Sequence, residues 1–234
     1  MSSYIGITTL AVIGTGARWM EADGRLAGDL PMFYTAEDIA LYLPWNMPLA
    51  NPTLMGRAEV FHDFPHRDGL VLASDYDWLA RVGEHHRLGC VSLPLLHYRR
   101  HAGSASVARP LEGQAFGCAV RLLTARRRAG RSEDFADLTV ETGRMVAAKL
   151  PRGRIYRHFA GRCRREGFPL LAAFHAALAV REQATPGNAA AYLRCLCAAV
   201  RADPAARRAI LGGAAKTPFW ILLRRAGFPA FPRY

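Results

Sequence analysis

The break at Arg109-Pro110 constrains this chain most. Residues 1–110 hold 9 arginines against 11 acids, a net charge of −2, and are rich in strand formers, glycine and proline turns. Residues 111–234 hold 22 Lys plus Arg against 8 acids, net +14, in an Ala- and Arg-rich helical texture. A polypeptide that changes sign and periodicity at one point is expected to fold as two parts, here 1–109 and 110–234. With 51% hydrophobic residues in 234, each part has enough apolar side chains for a core.

In the first part, Ile5 to Met20 reads as one or two strands, and Glu21-Ala22-Asp23-Gly24 as a turn before Arg25-Leu26. Thr35 is a cap with Asp38 three residues on, which predicts a short helix to about Leu43. Pro44, Pro48 and Pro52 predict a loop, Leu54 to Phe61 a strand or strand–helix junction, and His62 to Gly69 a polar loop. Ser74 with Asp77 spells a second capping box ahead of the apolar Trp78, Leu79 and Val82. Cys90 to Tyr98 is an extended segment interrupted by Pro94, ending in the basic tip Arg99-Arg100-His101. Gly14-Thr15-Gly16 lacks the third glycine and the Lys-Ser/Thr of phosphate-binding loops, and predicts a twisted strand or bulge.

The second part reads as successive helices. Phe116, Ala119, Val120 and Leu123 share one helical face, followed by Arg126-Arg127-Arg128. Ser132-Glu133-Asp134 predicts a cap for a helix to about Leu150, and Ile155, Phe159 and Cys163 form a narrow apolar stripe in a basic helix. Residues 169–183 and 188–202 predict two Ala- and Leu-rich helices split by Thr185-Pro186-Gly187. Asp203-Pro204 and Thr217-Pro218 each predict a helix start, and Phe219 to Arg225 an amphipathic segment suited to packing on the bundle or to a membrane surface. Five cysteines, an odd number with no C-x-x-C pair, and the lack of a signal-peptide pattern predict a reduced, cytoplasmic setting; Cys195 and Cys197 read as buried small side chains, and no apolar run reaches the ~18 residues of a spanning helix.

Three blocks occur in order: Asn51-Pro52-Thr53-Leu54-Met55-Gly56-Arg57, Ser74-Asp75-Tyr76-Asp77-Trp78-Leu79-Ala80-Arg81, and Leu95-Leu96-His97-Tyr98-Arg99-Arg100-His101. Their order and spacing resemble successive blocks of family 2 glycosyltransferases, over about residues 5 to 107. The resemblance implies an α/β fold: a partial GT-A, Rossmann-like domain, its acceptor-side half, followed by an α-helical C-terminal region. The nucleotide-binding half, with its metal-binding Asp-x-Asp, is then expected before Met1. It implies a glycosyltransferase, or a truncated remnant of one that acts only if the missing donor-binding half is supplied, moving sugar with inversion from a nucleotide-sugar donor to a glycan or lipid-linked hydroxyl acceptor, with a divalent metal (Mn or Mg) whose ligands are not visible in this chain. Asp75 is then the general base, Asn51 and Arg57 line the acceptor cleft, and Arg99 and His101 steady the departing diphosphate.

The residues by themselves leave other roles open. Asp75 can simply complement a helix dipole, since negative charge is favoured at a helix N-terminus. Asp77 reads as structural, and Arg99 to His101 as an exposed basic loop or, through His101, a metal ligand. A second reading is a non-catalytic scaffold whose basic half contacts an anionic membrane surface or partner protein, with Arg126, Arg127 and Arg128 as working residues. Nucleic acid is not expected, because no aromatic–basic pattern or binding motif accompanies the charge.

Overall fold

The computed structural model describes residues 10–30, 33, 35–70, 72–202 and 204. The chain is of mixed α/β type and divides into two compact units, Met1–Pro110 and Leu111–Tyr234.

The first unit is built on β1 (Leu10–Met20). Strand β4 (Arg87–Arg99) runs parallel to it from Leu10↔Arg87 to Met20↔Arg99. With one edge of β1 occupied along its length, β2 (Leu26–Leu30) and the two-residue β3 (Met55–Gly56) pair antiparallel at successive positions of the other. The β1–β2 turn closes through Glu21 N–H to Arg25 C=O at 2.8 Å, with Gly24 at φ 92 supplying the left-handed residue. Helix α1 (Ala36–Tyr42) starts as its sequence dictates: Thr35 Oγ1 accepts from Asp38 N–H at 3.0 Å and donates to the Asp38 carboxylate at 2.7 Å.

Helix α2 (Ala58–Asp63) occupies the start of the expected 62–69 loop, with Arg57 at the strand–helix junction. Helix α3 (Ser74–His85) then leads into β4, and a short α4 (Ala105–Ala108) follows the basic tip. Ile39, Tyr42, Leu43, Trp78, Leu79 and Val82 bury one face of α1 and α3 together with Val12, Ala17 and Leu88 of the sheet.

Pro94 does not end β4. It offers no N–H to the ladder, and the pairing slips at Thr15/Gly16 and Gly16/Ala17, opposite it. Gly14-Thr15-Gly16 is therefore a bulged stretch of strand. A Cβ on Gly16 would stand 3.0 Å from Leu93 O and 3.2 Å from Pro94 Cα, both backbone atoms that cannot swing away. Gly16→Ala is expected to destabilise the unit by about 1–3 kcal/mol, seen as a lower thermal midpoint. An unchanged midpoint would contradict a close approach of β1 and β4 at the bulge.

The second unit consists of α5 (Pro110–Arg128), which begins at the division, α6 (Phe135–Ala147), α7 (Arg152–Arg165), α8 (Pro169–Glu182) and α9 (Pro186–Ala202). Ile155, Phe159 and Cys163 are buried as one stripe of α7. Helix α8 packs against both α7 and α9 and is apolar nearly all round, the pattern of a helix enclosed by neighbours. Buried Asn188 ties the α8–α9 turn, donating to Ala179 O (3.0 Å) and Gln183 O (2.7 Å). At α6 the capping position falls on Asp134, at φ 48, with Ser132 Oγ bonded to its carboxylate at 2.8 Å. Thr217-Pro218 and the Phe219–Arg225 segment lie outside the described residues, as does Asp203.

Candidate functional site

The Ser74–Arg81 block separates two carboxylates that the sequence spells alike. Ser74 does not cap α3. The capping position is Ala73, at φ 68, and no side chain bonds the first turn from it. Asp77, expected to reach back to that cap, is buried instead and ion-paired with Arg67 and with Arg81 at 3.0 Å. The loop after α2 brings Arg67 over the helix, while Arg81 stands one turn along from Asp77. Two guanidiniums hold a desolvated carboxylate more firmly than a frayed helix end would.

Asp75, on the same turn, is half-buried, and its recorded bond is from the adjacent Tyr76 N–H at 2.8 Å. Among the described residues it has no ion-pair partner. Its backbone is seated by Tyr76, whose hydroxyl donates to Leu43 O at 2.9 Å. Trp78 stacks on Phe61 (centroids 4.8 Å apart, 17° between planes) with His66 on the same indole at 5.9 Å. Phe61 in turn packs on β3, its ring 3.0 Å from where a Gly56 Cβ would lie.

Asn51, exposed, opens the 3-10 turn Asn51–Thr53, whose Thr53, together with the preceding Leu49, packs against Gly14. Arg57 is exposed, ion-paired to Glu59 at 3.7 Å, and its N–H bonds Ala11 O. Arg99 and His101 stand at the other end of β1. Arg99 donates to Ala22 O at 2.8 Å, Arg100 N–H bonds Met20 O, and its guanidinium lies 5.2 Å over the Trp19 ring. His101 is held in a turn, its N–H on Ser104 Oγ and its C=O accepting Ser104 N–H. Ala11 and Met20 are nine steps apart along the strand, about 30 Å at ~3.3 Å each. Four of the five candidates thus form two groups, Asn51 with Arg57 and Arg99 with His101, too far apart to line one compact pocket, while Asp75 stands on the turn that Trp78 and Phe61 seat against β3. No group of three or more His, Cys, Asp or Glu suited to a metal occurs among the described residues. Asp75 and Asp77 do not serve as one either, because Asp77 is committed to its arginines.

In the second unit, two of the three arginines in the 126–128 run are internal. Arg126 is buried and bidentate on Glu166 (2.7 and 2.8 Å), and Arg127 pairs with Glu133 at 3.1 Å. Arg162 joins at 3.0 Å to Glu166 and also pairs with Glu141, which His158 Nε2 meets at 2.7 Å. This network links α5, α6 and α7, so the run is mainly structural and does not form a free cationic surface. Burial alone would raise the Glu166 carboxyl, but hydrogen bonds from Arg126 and Arg162 outweigh it and hold it below its ordinary value near 4.5. A depressed carboxyl contributes stability above the unfolded value and loses it as pH falls through the folded one. The melting temperature of this unit is therefore expected to drop below about pH 4.5, and Glu166→Gln to flatten that drop. Equal pH slopes in both proteins would exclude Glu166 as the cause.

Buried His175 went unread in the sequence, where it is one polar letter in an Ala-Leu helix. Its Nδ1 lies 3.7 Å from Cys163 Sγ, and its Nε2 has no hydrogen-bond partner among the described residues. Burial pushes the imidazole well below and the thiol well above their ordinary values, and lifts Cys118 nearby to about 11. Both members are neutral, so the pair holds a thiol and not the thiolate that nucleophilic chemistry requires.

No protein-family model, curated protein or solved structure matches this chain.

Proposed function

We propose that this chain acts in glycosyl transfer of the family 2 type, with the unit Met1–Pro110 forming the acceptor-side half of a GT-A domain and an oligomer of the chain rebuilding the donor site that such a half lacks. The observation that carries the reading is the contrast between Asp75 and Asp77: one helical turn holds a carboxylate locked between two arginines and a second with no ion-pair partner, on a backbone seated by Tyr76 and Trp78. The ordered blocks around Asn51, Asp75 and Arg99 support the family.

In this reading Asp75 takes the proton from the acceptor hydroxyl as that oxygen attacks the anomeric carbon and the diphosphate leaves. Arg99 keeps guanidinium donors beyond the one bonded to Ala22, and with His101 it receives the developing phosphate charge. Asn51 and Arg57, toward the other end of β1, contact the far side of an extended glycan or lipid-linked acceptor. The described residues offer no ligand set for the family's divalent metal, and no step here runs through it. A cytoplasmic setting is part of the proposal; among the described residues no helix is long and apolar enough to cross a membrane.

The test is release of nucleoside diphosphate from a panel of nucleotide sugars, with and without membrane glycolipid and glycan extracts. Acceptor-stimulated release from at least one donor is expected. A chain inert to every donor would remove the proposal.

A further inference from the structure

Helices α7 and α9 carry six arginines and two, respectively, and no acid. Arg152 pairs with Glu182, and Arg162 belongs to the Glu141–Glu166 network. Among the described residues, Arg154, Arg157, Arg164, Arg165, Arg194 and Arg201 have no carboxylate partner.

Three of these line one seam, and Arg201 continues it by helical spacing. Arg157 bonds Asn188 Oδ1 at 3.3 Å and lies over Gly187, where a Cβ would come within 2.7 Å of its guanidinium. Seven residues further along each helix, Arg164 and Arg194 both act on buried Cys195: burial raises its thiol, and the two positive charges draw it back. Residues 157 and 164 thus face 188 and 195, so the helices run parallel. Arg201, seven residues after Arg194, extends the same side by two turns. Like charges aligned in this way repel unless an anion lies among them.

The rest of the α9 surface decides which anion. Its outward residues Pro186, Ala190, Leu193 and Cys197 are apolar or small, and Leu193 is 59% exposed. An apolar stripe bordered by arginines suits the boundary between lipid head groups and acyl chains. It gives no aromatic stacking platform for bases.

We propose that the α7–α9 face docks on an anionic bilayer, with Arg157, Arg164, Arg194 and Arg201 on lipid phosphates and Leu193 entering the interface. This face does not use the 126–128 run, and it stands independently of any sugar chemistry.

The test uses the full chain and sedimentation with phosphatidylcholine vesicles, with and without phosphatidylglycerol. Binding is expected only to the anionic vesicles, falling as salt rises. The triple variant Arg164→Gln, Arg194→Gln, Arg201→Gln is expected to bind about a hundredfold more weakly. Lysine at the same three positions is expected to retain most binding, which separates charge loss from misfolding. A control with equal charge loss elsewhere, Arg128→Gln, Arg144→Gln, Lys149→Gln, is expected to bind like the parent. Equal loss in that control, equal binding to neutral vesicles, or binding to RNA without binding to vesicles would each overturn the proposal.

Discussion

Replacing Asp77 with alanine is expected to destabilise the first unit by about 3–5 kcal/mol, the range for deleting one partner of a buried ion pair. The cause is specific. Asp77 is buried, and its removal takes from the Arg67 and Arg81 guanidiniums, 21% and 13% exposed, the carboxylate that they share. For a unit of this size such a loss lowers the thermal midpoint by more than about 10 °C. Asp77→Asn is expected to do nearly as much, since shape without charge does not satisfy two cations. A midpoint within a few degrees of the parent for both variants would show that the triad is dispensable.

Asp75→Asn is expected to give the reverse signature. Its carboxylate has no ion-pair partner among the described residues, so the substitution should shift the midpoint little, as for a surface change of about ±0.5 kcal/mol. Losing the base should slow sugar transfer by about a hundred- to ten-thousandfold. Substrate binding should hold, because the amide keeps the shape and polarity of the side chain. Undiminished turnover in Asp75→Asn would assign the carboxylate to the helix end alone. Full turnover in a folded Asp77→Asn is equally required, since the two residues differ in role and lie on one turn.

What the sequence disclosed was local. Thr35 and Asp38 form the expected cap, each bonding the other across the first turn. Ser74 and Asp77 carry the same spelling, but there a longer-range contact wins: Arg67, ten residues away, takes the carboxylate. The stripe Ile155, Phe159, Cys163 was legible from i, i+4 spacing, and the twisted or bulged strand at Gly14-Thr15-Gly16 from glycines in a strand-like run without a phosphate-loop fingerprint. The parallel pairing of β1 with β4 was not legible, since residues nearly eighty apart leave no local pattern. For the same reason the blocks suggested one site, whereas the sheet puts Arg57 near Ala11 and Arg99 near Met20. In the helical unit, charge counting predicted a basic surface and singled out a run of which two members are paired internally. Arg126 and Arg127 look as free as any in the sequence, and only the fold brings Glu166 and Glu133 to them.

The measurement that bears most directly on sugar transfer is calorimetric titration of the purified chain with uridine and guanosine diphosphates, with and without manganese. The account predicts binding of one of them. The double variant Arg99→Ala, His101→Ala should weaken it at least about tenfold, as expected for charge-assisted hydrogen bonds of ~1.5–3 kcal/mol. Heat of dilution alone for both nucleotides, or affinity untouched by the double variant, would contradict the assignment of this end of β4 to the donor.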